Sequence, residues 1–342
     1  MIPFIKSPFI IAEAGVNHNG SFKRALKLIK AAKETGADCV KFQNFKASKL
    51  VTRASPKPNY QNINVGKKIS QYDMLKSLEI SEGKYYSLVK ECKKYKILFS
   101  STPYNKDDVI FLNKLNVSFF KLASIHIFEP EFVEFVMKFN KPIVISSGMA
   151  SENDVQKIVK LFKKKKFKKY YLLQCTSDYP AKEEEANINV LDQYKIKFTK
   201  NIGYSDHTKT NLSSILALAK GAKIFEKHFT LNKKLPGPDH SASYDPKEFK
   251  EYVNLLQNCA VILGNSEKKI SVREKLNYKL MRRTLVAKNN IKKGDIIKFK
   301  NLEYKRPLLN NIEPSNKKLL SKKLKAKKNI YENEFLNFHN TK

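Results

Sequence analysis

Eight times between Phe9 and Gly264 the chain passes from a short run rich in β-branched and aromatic residues into a stretch of helical spacing. Such alternation prescribes repeated βα units and a parallel sheet. Strands are expected at Phe9–Ala14, Cys39–Gln43, Ile97–Ser101, Ser118–Ala123, Pro142–Ser146, Tyr170–Cys175, Asn201–Tyr204 and Ala222–Lys227. Among the helices between them, Ser21–Thr35 opens on a capping serine and closes before Gly36, and Asp154–Lys163 carries Val155, Ile158, Val159, Leu161 and Phe162. Pro246–Leu263 sets Phe249, Val253, Leu256, Ala260 and Leu263 at helical spacing. Eight steps over roughly 250 residues predict a (β/α)8 TIM barrel rather than an open doubly wound sheet, which has fewer strands and a glycine fingerprint after the first.

In a barrel the strand C-termini converge on one face, so a polar marker is expected at each strand end. Glu13, Lys41, Ser101, Lys121, Ser146, Ser177, Asp206 and His228 serve, at intervals of 28, 60, 20, 25, 31, 29 and 22 residues. The interval of 60 marks an insertion, Asn44–Ile80, expected to lie over the site. Past Gly264 the texture changes. Residues 265–281 are polar and charged and read as a linker between a barrel at 1–264 and a small β-rich domain at 282–342, whose strands are "RTLVAKN", "IIKF", "LEYKRP" and "KLKAKKN". At that size the second domain is near the limit for folding alone, which favours packing on a partner.

Two segments concentrate the chemistry: "GYSDHT" at Gly203–Thr208 and "EKHFTL" at Glu226–Leu231, each closing an apolar strand with a histidine. A lone histidine there is ordinarily a satisfied core residue; His207 and His228 on adjacent strands point instead to a shared divalent ion. Glu13, Asp206, Glu226 and Asp239 are candidate oxygen ligands or supporting partners, and donors without thiolate suit Mn²⁺, Mg²⁺ or Zn²⁺. Lys41 and Lys121 also end apolar strands. They read either as a Schiff-base lysine or, with Ser124, Ser146, Ser147 and Ser205, as a pocket for a phosphate or carboxylate, and the second reading is preferred. With neither GxxxxGK[ST] nor GxGxxG present, the anion is not expected to be a nucleotide's. Metal, lysines and serines on one face match metal-dependent aldolases and phosphoenolpyruvate-condensing enzymes alike.

The charge argues for a second class of function. Lys and Arg number 66 against 32 Asp and Glu, a formal net charge of +34, which would attract a polyanion. Yet only six of the 66 are arginine, and apart from Lys163–Lys166 with Lys168 and Lys169 the lysines are scattered, so a solvated basic surface is expected over a nucleic-acid site. Cys39, Cys92, Cys175 and Cys259 lie at least 53 residues apart with no CxxC pair, which fits a reducing cytoplasm. Met1–Gly20 is broken by Lys6, Pro8 and Glu13 and lacks a signal-peptide core, and no run reaches the ~18 apolar residues of a membrane span. A cytoplasmic protein is expected.

"FIIAEAGVNHNGS", "GADCVKFQ", "SSGMAS", "GYSDHT" and "EKHFTLNKKLPGPDHSAS" together resemble the sialic acid synthase family, and "RRTLVAKNNIKKGDII" resembles the antifreeze-like domain (β-clip type) that follows the barrel there. The resemblance implies condensation of phosphoenolpyruvate with an N-acylated amino sugar, N-acetylmannosamine or a 2,4-diacetamido-trideoxyhexose, to a nine-carbon 2-keto acid and phosphate. It implies Mn²⁺ or Mg²⁺ on His207 and His228, Lys41, Lys121, Ser124, Ser146, Ser177 and Ser205 on phosphoenolpyruvate, and Gln43, Tyr179 and Asp239 on the sugar, with Glu13 handling a proton. It also implies a domain-swapped homodimer, with Arg306 reaching into the other subunit's barrel. The chain departs from the pattern where His126 replaces a sugar-contacting carboxylate, and where Leu308, Leu309, Asn310 and Asn311 replace glycines after the Arg-Pro pair. The competing readings are a nucleic-acid-binding protein and a non-catalytic barrel.

Overall fold

The computed structural model describes residues 7–306, 324–336 and 339–341, in two units, Met1–Gly264 and Asn265–Lys342. The first carries eight parallel strands: β1 (Phe9–Gly15), β2 (Cys39–Asn44), β3 (Leu98–Pro103), β4 (Phe120–Leu122), β5 (Ile143–Ser146), β6 (Tyr170–Cys175), β7 (Ile202–Asp206) and β8 (Ile224–His228). They pair in the order β3-β2-β1-β8-β7-β6-β5-β4, with β3 and β4 side by side at the remaining junction, which gives the near-closed TIM barrel. The strand ends differ from expectation by up to two residues, most usefully at β7 and β8, which run on to Asp206 and His228.

Alternation along each strand decides what the barrel encloses. Phe9, Ile11, Cys39, Phe119, Val144, Leu173 and Ile224 form the interior floor. The residues between them, such as Ile10, Val40, Phe42, Phe120, Leu122 and Phe225, pack outward against Leu28, Ile29, Val155 and Phe249 of the helices. Those helices begin where side chains can hold their free N–H groups. Ser21 caps Phe22–Glu34, Ser151 and Asp154 form a capping box on Glu152–Lys164, and Asp245 and Glu248 form another on Pro246–Leu263. With the floor apolar, polar side chains at the next inward positions are raised to the strands' C-terminal mouth.

Asp206, weighed from the sequence as an oxygen ligand, points away from that mouth. It accepts hydrogen bonds from Thr208 and Ser214 and pairs with Lys227 at 2.9 Å, both side chains almost fully buried and the ammonium 4.3 Å from the Tyr244 ring centre. Lys227→Met leaves the Asp206 carboxylate buried without its cation. A loss of about 3–5 kcal/mol in unfolding free energy is expected by denaturant titration. A loss below about 1 kcal/mol would show that the hydroxyls alone suffice.

The insertion is ordered into helices Ala47–Leu50, Asn59–Val65 and Gln71–Ser77 around its own cluster of Val16, Phe45, Ala47, Met74, Leu75 and Leu78. The second unit opens on a helix, Val272–Met281, with Ser271 and Glu274 as its capping box, inside the stretch read as linker. Antiparallel strands β9 (Thr284–Ala287) and β10 (Leu302–Lys305) follow, around a core of Leu285, Ala287, Ile291, Leu302, Ala326, Ile330 and Leu336. The segments "IIKF" and "KLKAKKN" contribute isolated bridges rather than strands. Residues 308–311 lie outside the described residues.

Candidate active site

Lys41 and Glu13 face each other across β2 and β1, Nζ to carboxylate 2.7 Å, because the two residues are paired in register. Lys41 also donates to Thr102 Oγ1 at 2.9 Å and lies 3.8 Å from Glu226. Lys121 donates to Ser146 Oγ at 2.7 Å and to its neighbour's carbonyl at 3.1 Å, and sits 3.5 Å from the other oxygen of Glu226, which accepts from Ser205 Oγ at 3.3 Å. Gln43 donates to Glu13 at 3.1 Å and accepts from the Tyr104 hydroxyl at 3.2 Å. Two ammonium groups and two carboxylates thus alternate in one cavity, ringed by Thr102, Ser124, Ser146 and Ser205 hydroxyls, with His207, His228 and Tyr179 on its wall.

The two carboxylates are driven apart. Burial raises Glu13 to about 7, with Lys41 resisting and Glu226 adding to the rise. Burial opposes charge on Glu226 too, but Lys121 and Lys41 together outweigh it and hold its carboxyl below the usual range. Glu226 is the fixed anion and Glu13 the carboxyl able to give and take a proton near neutrality. Of the lysines, Lys41 is held high by Glu13 and Glu226 against its burial, and Lys121, with less compensation, is pushed down.

His207 and His228 meet at this wall, their ring centroids 5.3 Å apart, and Tyr179 packs on both at 4.2 and 5.3 Å. His207 Nδ1 donates to the Thr176 carbonyl at 2.6 Å, with Cys175 Sγ 3.8 Å from the same nitrogen, which fixes the tautomer and leaves Nε2 for a ligand. The buried Nδ1 of His228 has no hydrogen-bond partner, and burial, followed by His207 and Lys41, presses that ring well below its ordinary pKa, so it stays neutral. An orphaned, neutral imidazole nitrogen beside a second oriented imidazole fits a divalent ion. Among the described residues no group of three ligating side chains comes together, so such an ion would keep water or substrate at its other positions.

Not every expected residue lies on this wall. Ser177 lines a larger neighbouring cavity, of about 560 Å³, and a Cβ on Gly148 would lie 2.2 Å from the Ser177 hydroxyl and 2.9 Å from that of Ser124. Glu152, Asp178 and Glu185 are that cavity's ionisable carboxylates, and none of its side chains is a buried polar group without a partner. Asp239 lines a different adjoining cavity, its carboxyl raised to about 6 by burial. His126 is off the wall altogether. It is stacked on Phe132 at 4.6 Å, bonded to the Ala123 carbonyl and packed 5.9 Å from the Tyr104 ring, and so does not line the reaction cavity. Arg306 is exposed at the end of β10 in the second unit. Glu226 as a bridge between the lysines, Thr102 and Tyr104 were not singled out from the sequence for these places.

The sequence profile of the NeuB family matches residues 28–268. The chain belongs to the NeuB family. An N,N'-diacetyllegionaminic acid synthase of Campylobacter jejuni is 39% identical over 305 residues, covering 89% of this chain and 91% of the relative. The N-acetylneuraminate-9-phosphate synthase of Homo sapiens is 35% identical over 291 residues, covering 84% and 80%. Among solved structures, an N-acetylneuraminic acid synthetase of Leptospira borgpetersenii in complex with citrate superposes with a TM-score of 0.70 at 31% identity, covering 80% of this chain and 92% of that one. This NeuB-family chain is accordingly an enzyme, a synthase of the transferase type. No helix among its described residues is long and apolar enough to cross a membrane.

Proposed function

We propose that this NeuB-family barrel condenses phosphoenolpyruvate with the aldehyde of an N-acylated amino sugar, giving a nine-carbon 2-keto acid and phosphate. The observation that carries this reading is the single buried cavity in which Lys41 and Lys121, with the surrounding hydroxyls, face a pair of imidazoles. An enol phosphate presents a carboxylate and a phosphate to two cations, and the opposite wall is left for the electrophile. Lys41, Lys121, Ser124, Ser146 and Ser205 hold phosphoenolpyruvate, whereas Ser177, in the neighbouring cavity, stands outside this set. Gln43, Tyr179 and Asp239 position the sugar.

His207 and His228 would hold Mn²⁺ or Mg²⁺, which when bound supplies Lewis-acid polarisation of the aldehyde oxygen. C3 of phosphoenolpyruvate attacks the aldehyde carbon, forming the new C–C bond, and the aldehyde oxygen takes a proton from Glu13. The positive charge left at C2 is met by Glu226 and by an entering water, whose proton returns to Glu13. Cleavage of the bond from C2 to the phosphate ester oxygen, with the proton of the new C2 hydroxyl passing to the departing phosphate, then leaves the 2-keto group. Sugar aldehyde, phosphoenolpyruvate and water account for every atom of the two products.

The unit Asn265–Lys342 is on this reading the antifreeze-like domain of β-clip type, and Arg306 enters the barrel of a second subunit in a domain-swapped homodimer. The four free cysteines fit a cytoplasmic enzyme. With the purified chain, phosphate release from phosphoenolpyruvate is expected only when both an N-acylated amino sugar and Mn²⁺ or Mg²⁺ are supplied, with the 2-keto acid seen by mass spectrometry. Absence of turnover across a panel of amino sugars at saturating metal would refute the reading.

A further inference from the structure

We propose that Gln61 and Gln71 recognise the acceptor sugar through the N–H groups of two acylamino substituents, and that the cavity they line rejects an acceptor carrying a phosphate. This deepens, and rests on, the condensation proposed above. The cavity, about 260 Å³, shares Gln43, Tyr104, Tyr179 and His228 with the reaction cavity, so a molecule in one extends into the other. Its far walls come from the insertion: Leu50, Val51, Met74, Leu75 and Leu78 are apolar, and Tyr60, Gln61 and Gln71, together with Asp239 from the loop after β8, are polar.

Three features of those walls bear on the occupant. Gln61 and Gln71 are both nine-tenths buried, and the carbonyl oxygen of each lacks a donor. The Gln61 amide nitrogen is committed to the Tyr60 hydroxyl at 2.9 Å, which orients that side chain. A buried acceptor without a donor is costly, and a ligand that brings N–H groups satisfies it. In a chain with 66 lysines and arginines, none lines this cavity among the described residues. A phosphate there would meet two carbonyl oxygens and the Asp239 carboxyl with no cation from these walls. An acylamino group is the complement: its N–H meets a glutamine oxygen and its methyl lies on the leucines and Met74.

The test uses the full chain with saturating phosphoenolpyruvate and Mn²⁺, and compares initial rates of 2-keto acid formation from a 2,4-diacetamido-2,4,6-trideoxyhexose, N-acetylmannosamine and N-acetylmannosamine 6-phosphate. The expected order in kcat/KM places the diacetamido sugar roughly tenfold or more above N-acetylmannosamine and roughly a hundredfold above the phosphate. Gln61→Met and Gln71→Met should each raise KM for the diacetamido sugar about tenfold while KM for phosphoenolpyruvate stays within about twofold. Equal kcat/KM for the three acceptors leaves the reaction standing and overturns the recognition. So does an undiminished preference in both folded variants. Should the variants not fold, the wild-type comparison decides alone, and turnover of none of the three removes the reaction and this proposal with it.

Discussion

Replacing Lys121 with methionine is expected to lower kcat/KM for phosphoenolpyruvate by roughly 10³-fold. The ammonium is almost wholly buried, bonded to Ser146 and 3.5 Å from Glu226. Its loss removes one of the two cations of the anion pocket and leaves Glu226 with Lys41, at 3.8 Å, as its remaining ion-pair partner among the described residues. Breaking a buried charge pair costs about 3–5 kcal/mol, and some 4 kcal/mol of lost transition-state binding corresponds to that rate loss. Part of the penalty falls on the fold, so the double variant Lys121→Met/Glu226→Gln is the control. It should recover thermal stability by removing the stranded carboxylate and should not recover activity. Steady-state kinetics and thermal denaturation of both proteins read the two effects separately, and activity in the single variant within about tenfold of wild type would remove Lys121 from the substrate's pocket.

Glu13→Gln is expected to lower kcat by roughly 10²- to 10⁴-fold, the range for loss of a positioned proton donor and acceptor. Glutamine keeps the side chain's length and removes the transferable proton. Lys41 retains Glu226 and the Thr102 hydroxyl as partners, so phosphoenolpyruvate should still bind, with KM changed by no more than about fivefold. A variant with kcat close to wild type would make Glu13 a structural counter-ion of Lys41 and move proton handling elsewhere.

The barrel was legible because alternating strand and helix periods survive even a lysine-biased composition, and the helix starts because serine and aspartate caps sit where free N–H groups need them. The site was legible wherever strand parity was chosen correctly. Lys41, Lys121, Ser146 and His228 occupy inward positions of their strands. Ser101 and Asp206 are one residue off that parity: Ser101 pairs in register with outward-facing Phe42, whereas Thr102 pairs with Gln43 and lines the cavity. A shift of one residue exchanges the faces of a strand. The same alternation puts Glu226, weighed from the sequence as an oxygen ligand, on the inward face two positions before His228 on β8. The placing of the insertion at the site was legible from its length, but not which of its residues line it, because its short helices carry too few periodic apolar residues, and Tyr60, Gln61 and Gln71 reach the site through tertiary packing alone.

Phosphorus NMR of phosphoenolpyruvate bound to the Mn²⁺-loaded enzyme tests directly whether cation and enol phosphate share one chamber. The account predicts strong paramagnetic broadening of the phosphate resonance in the wild type. In His207→Ala and His228→Ala that broadening should vanish while phosphoenolpyruvate still binds. A resonance left sharp in the wild type, or broadened equally in the alanine variants, would contradict it.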